Sequence, residues 1–166
     1  MNLYEAISAK LEDYLNGLFD DFLLELKAQG HIDTGRLAQS KKVTVKTGVA
    51  RIVGELAMED YVKYLETGTR PRRVTGAQVA ALKAWWKRKG LTDKEAEGAA
   101  WGTAKNQVKY GSPTPASYAF SSNGRRKGVL TQAIDKSVSA IKSDLNFEQE
   151  LDIYFNNLLT GAKSRQ

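Results

Sequence analysis

Apolar residues over the first thirty positions recur every three or four places: Leu3, Ile7, Leu11, Leu15, Leu18, Phe22 and Leu26, with Phe19 and Leu23 widening the stripe. This is the period of a long helix with one buried face, and Gly30 predicts its end. Thr34, Gly35 and Arg36 open a short piece, residues 37–40, that reads as a helical turn. The period then changes to two. Lys42-Val43-Thr44-Val45-Lys46 alternates as a half-buried strand does, Thr47-Gly48 supplies a turn, and residues 49–56, rich in branched apolar side chains, return as a second strand. Adjacent Ile52 and Val53 blur the alternation, so the pattern leaves the faces of that strand unassigned. Residues 61–65 form a further short apolar-polar stretch, and the expected sheet is small and antiparallel: the hairpin plus an edge strand.

A loop, Glu66-Thr67-Gly68-Thr69-Arg70-Pro71-Arg72-Arg73, leads to two helices with legible starts. Thr75 with Gln78, and Thr92 with Glu95, have the spacing at which a threonine hydroxyl caps the third amide while the third side chain reaches back. The helix from Ala77 is expected to bury Val79, Leu82 and one or both of Trp85 and Trp86. The helix from Lys94 is alanine-rich, which implies close approach by another element; Trp101 and Val108 lie on it. Ser112-Pro113-Thr114-Pro115 reads as a stiff extended connector, because proline fixes its own dihedral and restricts its predecessor. Residues 121–128 are polar, basic and glycine-containing, the composition of a mobile loop. Helices are predicted from Val129 to about residue 145 and again over 147–159, where Asn146 and Gln149 give a fresh capping signal.

These elements make an α+β chain: a long N-terminal helix, a small antiparallel sheet, packed helices and a C-terminal helical extension. A length of 166 residues suits one domain, placed at 1–145, with the extension and a polar tail at 146–166. No apolar run is long enough for a membrane-spanning helix, and the first residues lack a signal peptide's basic region. Zero cysteines exclude disulfides, thiolate metal sites and a cysteine nucleophile. The net charge of +6 is unevenly spread. Glu5, Glu12, Asp13, Asp20, Asp21 and Glu25 make the first helix acidic, whereas residues 70–89 hold seven bases and no acid. Complementary patches of this kind steer encounter and fix register between surfaces.

Candidate chemistry is sparse. His31 is the single histidine and sits at a predicted helix end, where capping or surface exposure accounts for it better than a catalytic pairing with Asp33. No metal set, cofactor motif or phosphate-cradling glycine pattern is present in the sequence, so no catalytic residue, metal or cofactor is expected. Arg70, Arg72, Arg73, Lys83, Lys87, Arg88 and Lys89 form the strongest chemical feature, able to neutralise phosphates or to meet an acidic partner. Trp85 and Trp86 point about 100° apart on a helix, so they cannot make one base-stacking platform.

Taken in order, several phrases resemble the head-to-tail joining and tail-completion proteins of siphovirus-type phages. They are Thr34-Gly35-Arg36-Leu37-Ala38-Gln39-Ser40 before a hairpin, and Tyr61-Val62-Lys63-Tyr64-Leu65-Glu66-Thr67-Gly68-Thr69-Arg70-Pro71 after it. A tryptophan-bearing helix ending in Lys89-Gly90 and an alanine-rich helix over 96–108 follow, so the likeness runs over roughly residues 1 to 140. The chain departs from the family pattern at Pro113-Thr114-Pro115-Ala116-Ser117-Tyr118-Ala119-Phe120 and in the acidic C-terminal extension. The resemblance implies a non-enzymatic virion protein, made in the host cytoplasm and built into the phage neck or tail. Its copies would form a sixfold or twelvefold ring joining portal, adaptor or tail proteins, with transient contact to packaged double-stranded DNA. It also implies that Glu66, Thr67, Gly68, Thr69 and Pro71 form the family loop and that Arg70, Arg72, Arg73, Lys87, Arg88 and Lys89 face a neighbouring subunit or DNA; the C-terminal extension, which lies outside the family pattern, is expected to dock on a neighbouring subunit or ring. A non-specific double-stranded DNA-binding protein is the alternative reading.

Overall fold

A computed structural model describes residues 3–48 and 51–143 of the chain. The expected extension over 146–166 lies outside the described residues. The architecture is α+β: helix α1 (Leu3–Ala28), a short helix α2 (Arg36–Gln39), strands β1 (Lys42–Thr47) and β2 (Ile52–Ala57), then helices α3 (Val62–Thr67), α4 (Gly76–Arg88), α5 (Asp93–Tyr110) and α6 (Val129–Ser143), with a 3₁₀ turn (Pro115–Phe120) before α6.

Helix α1 is the spine, about 39 Å long at 1.5 Å per residue. Its predicted stripe is the buried face: Phe19, Phe22 and Leu26 join Val62 and Leu65 of α3 and Val129 and Ala133 of α6 in the main core. Helix α6 lies antiparallel to α1. Its start meets Leu26, its middle reaches Asp21 through Lys136 and Ser137, and Ile134 and Val138 border the same cavity as the first half of α1.

The hairpin packs on α1, and its register resolves the faces that the sequence leaves open. Val43 opposes Leu56, Val45 opposes Gly54 and Thr47 opposes Ile52, so Ile52, Gly54 and Leu56 share one face while Val53 and Glu55 take the other. The first of these faces meets α1. A Cβ on Gly54 would come within 2.7 Å of Leu15 Cδ1 and 2.9 Å of Leu11 Cγ, so only glycine lets the strand approach this closely.

Four expectations change. The described second strand runs Ile52–Ala57, with Arg51 outside it, and the described sheet has two strands, with no edge strand beside the hairpin. Residues 62–67 are helical because their buried side chains, Val62 and Leu65, stand three apart, which puts them on one face of a helix and on opposite faces of a strand. The connector at 112–115 bends through a cis Ser112–Pro113 bond into the 3₁₀ turn, with Pro115 at its first position. Residues 121–128 are held by the end of α1: Ser122 N and Oγ donate to Ala28 O at 2.8 and 3.0 Å, Asn123 Nδ2 donates to Glu25 Oε1 at 2.9 Å, and Arg126 donates to Gln29 O. The last carbonyls of any helix lack internal partners, and this loop supplies them.

Helices α4 and α5 pack on each other around a second, smaller core of Val79, Ala100 and Ala104, with Leu82 and Trp86 against it. Both threonine capping boxes are formed. Ala96, Ala100 and Ala104 recur every four residues along the contact and are buried, which is the close approach that small residues imply.

Two glycine substitutions test this packing. Gly54→Val should lower stability by about 1–3 kcal/mol through overpacking against Leu11 and Leu15. Gly98→Ala, at an open helical position with nothing near its Cβ, should raise stability by about 0.5–1 kcal/mol. Urea midpoints of the two variants against the parent check both signs.

Candidate functional site

The loop after α3 is a joint between three elements. Thr67 Oγ1 returns to Lys63 O at 2.9 Å and closes the last turn of α3. Gly68 follows with φ of +74°, a conformation that disfavours any side chain, and a Cβ there would lie 2.3 Å from Ser112 O. Thr69 pairs with Ser112 as a two-residue antiparallel bridge, its amide donating to Ser112 O at 2.7 Å and its carbonyl accepting from Ser112 N at 3.1 Å. Glu66 reaches the other way. Its carboxylate accepts from the amide of Leu130 at 2.9 Å, the amide of Thr131 at 3.3 Å and the hydroxyl of Thr131, capping α6 where free amides and the positive dipole end favour an anion. Glu66, Thr67, Gly68 and Thr69 are therefore held from within the subunit.

The arginines beyond the joint differ from the bases of α4. Arg70, Arg72 and Arg73 are exposed and make no ion pair among the described residues; Pro71 fixes the backbone between the first two. Helix α4 is neutralised by its neighbours. Lys83 Nζ lies 2.7 Å from Asp93 and 3.0 Å from Glu97, and Lys87 Nζ lies 3.1 Å from Asp93. Arg88 grips Asp33 through two nitrogens, which holds the Asp33 carboxyl below its usual 3.8 and the guanidinium above its ordinary value. Lys89 Nζ sits 5.5 Å from the ring centre of Trp85. Of the six bases expected at an interface, the loop trio has no ion-pair partner among the described residues, whereas Lys87, Arg88 and Lys89 are engaged internally.

The tryptophans are structural. Trp85 and Trp86 meet edge to face at 4.6 Å between centroids, Phe120 packs against both at 6.2 and 6.1 Å, and Trp86 Nε1 donates to Thr103 Oγ1 at 3.1 Å. Edge-to-face rings prefer this spacing, and the trio ties α4 to the 3₁₀ turn.

Behind the arginine loop lies a cavity of about 540 Å³ between the end of α1, α3, α4 and α5, lined among others by His31, Tyr61, Arg72, Trp85 and Arg126. His31 is part-buried rather than exposed. Burial, then the nearby Arg126 charge, push its imidazole down to about 4, against a weaker pull upward from the Arg126 backbone. It is neutral at pH 7, and its Nε2 is buried without a hydrogen-bond partner. Burial likewise lowers the Arg126 guanidinium. Sequence reasoning missed Arg126, the residue that ties residues 121–128 to α1. The run Arg125-Arg126-Lys127 marked the stretch as basic, but a carbonyl partner 97 positions away leaves no local trace. Among the described residues, no three His, Asp or Glu side chains gather as a metal site, and no helix is long and apolar enough to cross a membrane.

Comparison of the chain with models of protein families, with curated proteins and with solved structures returns no match.

The state of His31 sets a pH dependence. Its folded value of about 4 lies below the unfolded 6.5, so the unfolded chain binds a proton that the native protein refuses. The stabilisation is complete above pH 6.5 and is lost as pH falls towards 4. Asp21 and Asp33, both held below 3.8, lose theirs only at lower pH. Thermal unfolding midpoints should fall between pH 6.5 and 4, and His31→Gln should flatten that slope. At the joint, Glu66→Ala should cost about 0.5–2 kcal/mol, as loss of an N-terminal cap does, readable in the same unfolding curves at pH 7.

Proposed function

We propose that this chain is a structural subunit of a tailed bacteriophage, a neck or tail-completion protein whose copies assemble into a ring, sixfold or twelvefold, joining the portal complex to the tail. It acts by docking, and its working groups are surface charges. The observation that carries this reading is the separation of unpaired charge along the molecule. Arg70, Arg72 and Arg73 stand at the end where α1 finishes, since Arg72 shares a cavity wall with Gly30 and His31. Glu12 and Asp13 are exposed on the first half of α1 and make no ion pair among the described residues. At 1.5 Å per residue they lie about 20 Å or more from that end. A ring contact is heterologous, front to back, so each subunit needs unlike faces, and opposite charge at two separated places meets that need.

The shared phrases support the same reading. The stretch 34–40 turns the chain from α1 into the hairpin, with Arg36 Nε donating to Glu59 at 2.8 Å across the far end of β2. The stretch 61–71 makes the joint that carries the arginines.

A second reading, binding to duplex DNA, is favoured by the absence of acid partners around the loop arginines among the described residues. The internal pairing of Lys83, Lys87 and Arg88 weakens it. Three arginines neutralising three phosphates would give a slope of log affinity against log salt of only about −3.

A charge-swap series separates the two. Arg72→Glu with Arg73→Glu should abolish ring formation in sedimentation velocity and native mass spectrometry, and adding Glu12→Arg with Asp13→Arg should restore it. Loss of duplex affinity without restoration by the swap would favour DNA. Subunit-resolution images of virions should place copies around the neck axis; a chain that stays monomeric and is missing from virions would defeat the proposal.

A further inference from the structure

The cavity of about 540 Å³ behind the arginine loop holds a positive charge that no described residue balances. Arg126 is part-buried. Its guanidinium makes one hydrogen bond among the described residues, from Nη1 to the carbonyl of Gln29, and its Nε is buried without a partner. No acid among the described residues forms an ion pair with it. The acid on the cavity wall, Asp33, is already gripped by Arg88. A cation taken from water without a counter-charge is costly, and an anion that joins it removes that cost.

The walls narrow the choice of anion. Arg72, Tyr61 and Tyr64 line the cavity and are exposed, so it opens to solvent beside the loop. Helices α4 and α5 contribute side chains from within their length, Leu82, Trp85, Thr103 and Gln107, and not the free amides of a helix start that cradle a phosphate. His31 adds a neutral imidazole whose Nε2 is buried and unpartnered. One part-buried cation and a second at the rim suit a singly charged, planar anion, which a guanidinium meets with two parallel hydrogen bonds. Tyrosine and arginine around the opening are residues that protein interfaces favour.

We propose that this cavity seats the side-chain carboxylate of an aspartate or glutamate on a partner protein, with Arg126 as its counter-charge and Arg72 meeting it at the rim. The inference rests on the docking role proposed for the arginine loop and names the chemistry that the partner brings to it. It also divides the labour among the bases. Arg70 and Arg73 act through solvent, where charge steers approach, whereas Arg126 acts inside the cavity, where an ion pair is screened less.

The test uses the isolated full chain, so its outcome does not depend on ring formation. The probe is a capped pentapeptide with one glutamate among alanines, followed through the ring protons of His31, the sole histidine of the chain. The peptide should shift those signals saturably. It should also make the imidazole titrate above its value of about 4, because a carboxylate in the cavity offsets the Arg126 charge beside it. Arg72, Tyr61 and the Asp33–Arg88 pair are the other charged or titratable groups around that ring. The same peptide with glutamine for glutamate should leave the signals unmoved. Arg126→Gln should weaken the glutamate peptide by about tenfold or more, as loss of a charge-assisted hydrogen bond does. Arg72→Gln, at an exposed position that the fold does not need, should weaken it by about threefold. Saturation by glutarate without response to the peptide would assign the cavity to a free small carboxylate and overturn the protein source. Equal response to the glutamine peptide or to inorganic phosphate, no response at all, or binding unchanged in Arg126→Gln overturns the carboxylate seat. Rings that assemble from a chain whose cavity ignores the peptide would leave the docking role standing and remove this inference alone.

Discussion

A helix of 26 residues leaves its final carbonyls exposed unless something else reaches them, and the way α1 meets that requirement organises one whole end of the molecule. Ala28 and Gln29 receive donors from Ser122 and Arg126, and the fully buried Gln29 side chain gives its amide hydrogens to Glu25 and to the carbonyl of Lys127. Gly128, at the close of the same segment, donates to Glu66 O at 3.0 Å. A polar stretch far along the chain is thereby fixed between α1 and α3. From there α6 starts in a set direction, antiparallel to the spine.

Glu66 extends this chain of dependence. Its carboxylate, in the last turn of α3, caps α6, and three residues later Thr69 bridges to Ser112 just past α5, so one short run of chain links the main core to the end of the α4–α5 pair. Exposed ion pairs contribute little stability singly, and those of α4 are of that kind. Their larger effect is to cancel charge, which concentrates the free positive surface on the loop next to the joint. A flexible display of the same three guanidinium groups would lose more side-chain and backbone freedom on meeting a partner.

Local features of the fold were legible in the sequence and distant ones were not. The helical stripe of α1, the two threonine caps and the alanine seam of α5 are set by residues within a few positions of one another. Each reappears in the structure. Residues 61–65 defeated a reading based on short alternation, because Val62 and Leu65 are buried together only when the α1 and α6 surfaces arrive. The loop over 121–128 looked free because its partners are about a hundred residues away. For the candidate site, the basic segment was visible as charge, but which bases are free depends on where Asp33, Asp93 and Glu97 come to rest. His31 was placed at a helix end, where it is; its burial comes from Arg126 and the walls around it.

The alanine seam carries a consequence for how the molecule yields under stress. Methyl groups at positions 96, 100 and 104 allow α4 and α5 to lie close, yet each contributes little apolar surface, and stability tracks the area taken from water. The main core has two phenylalanines and several leucines, isoleucine-sized neighbours aside; the smaller one is sealed chiefly by Val79, Leu82 and one indole. The protein is thus built in two grades. The spine with α3, α6 and the hairpin forms the resistant part, and the α4–α5 pair forms a weaker lobe attached at Arg88–Asp33, Thr69–Ser112 and the ring contacts of Phe120. Those three attachments flank the loop arginines, so the charged edge sits on the boundary between a firm body and a lobe that can open before the rest.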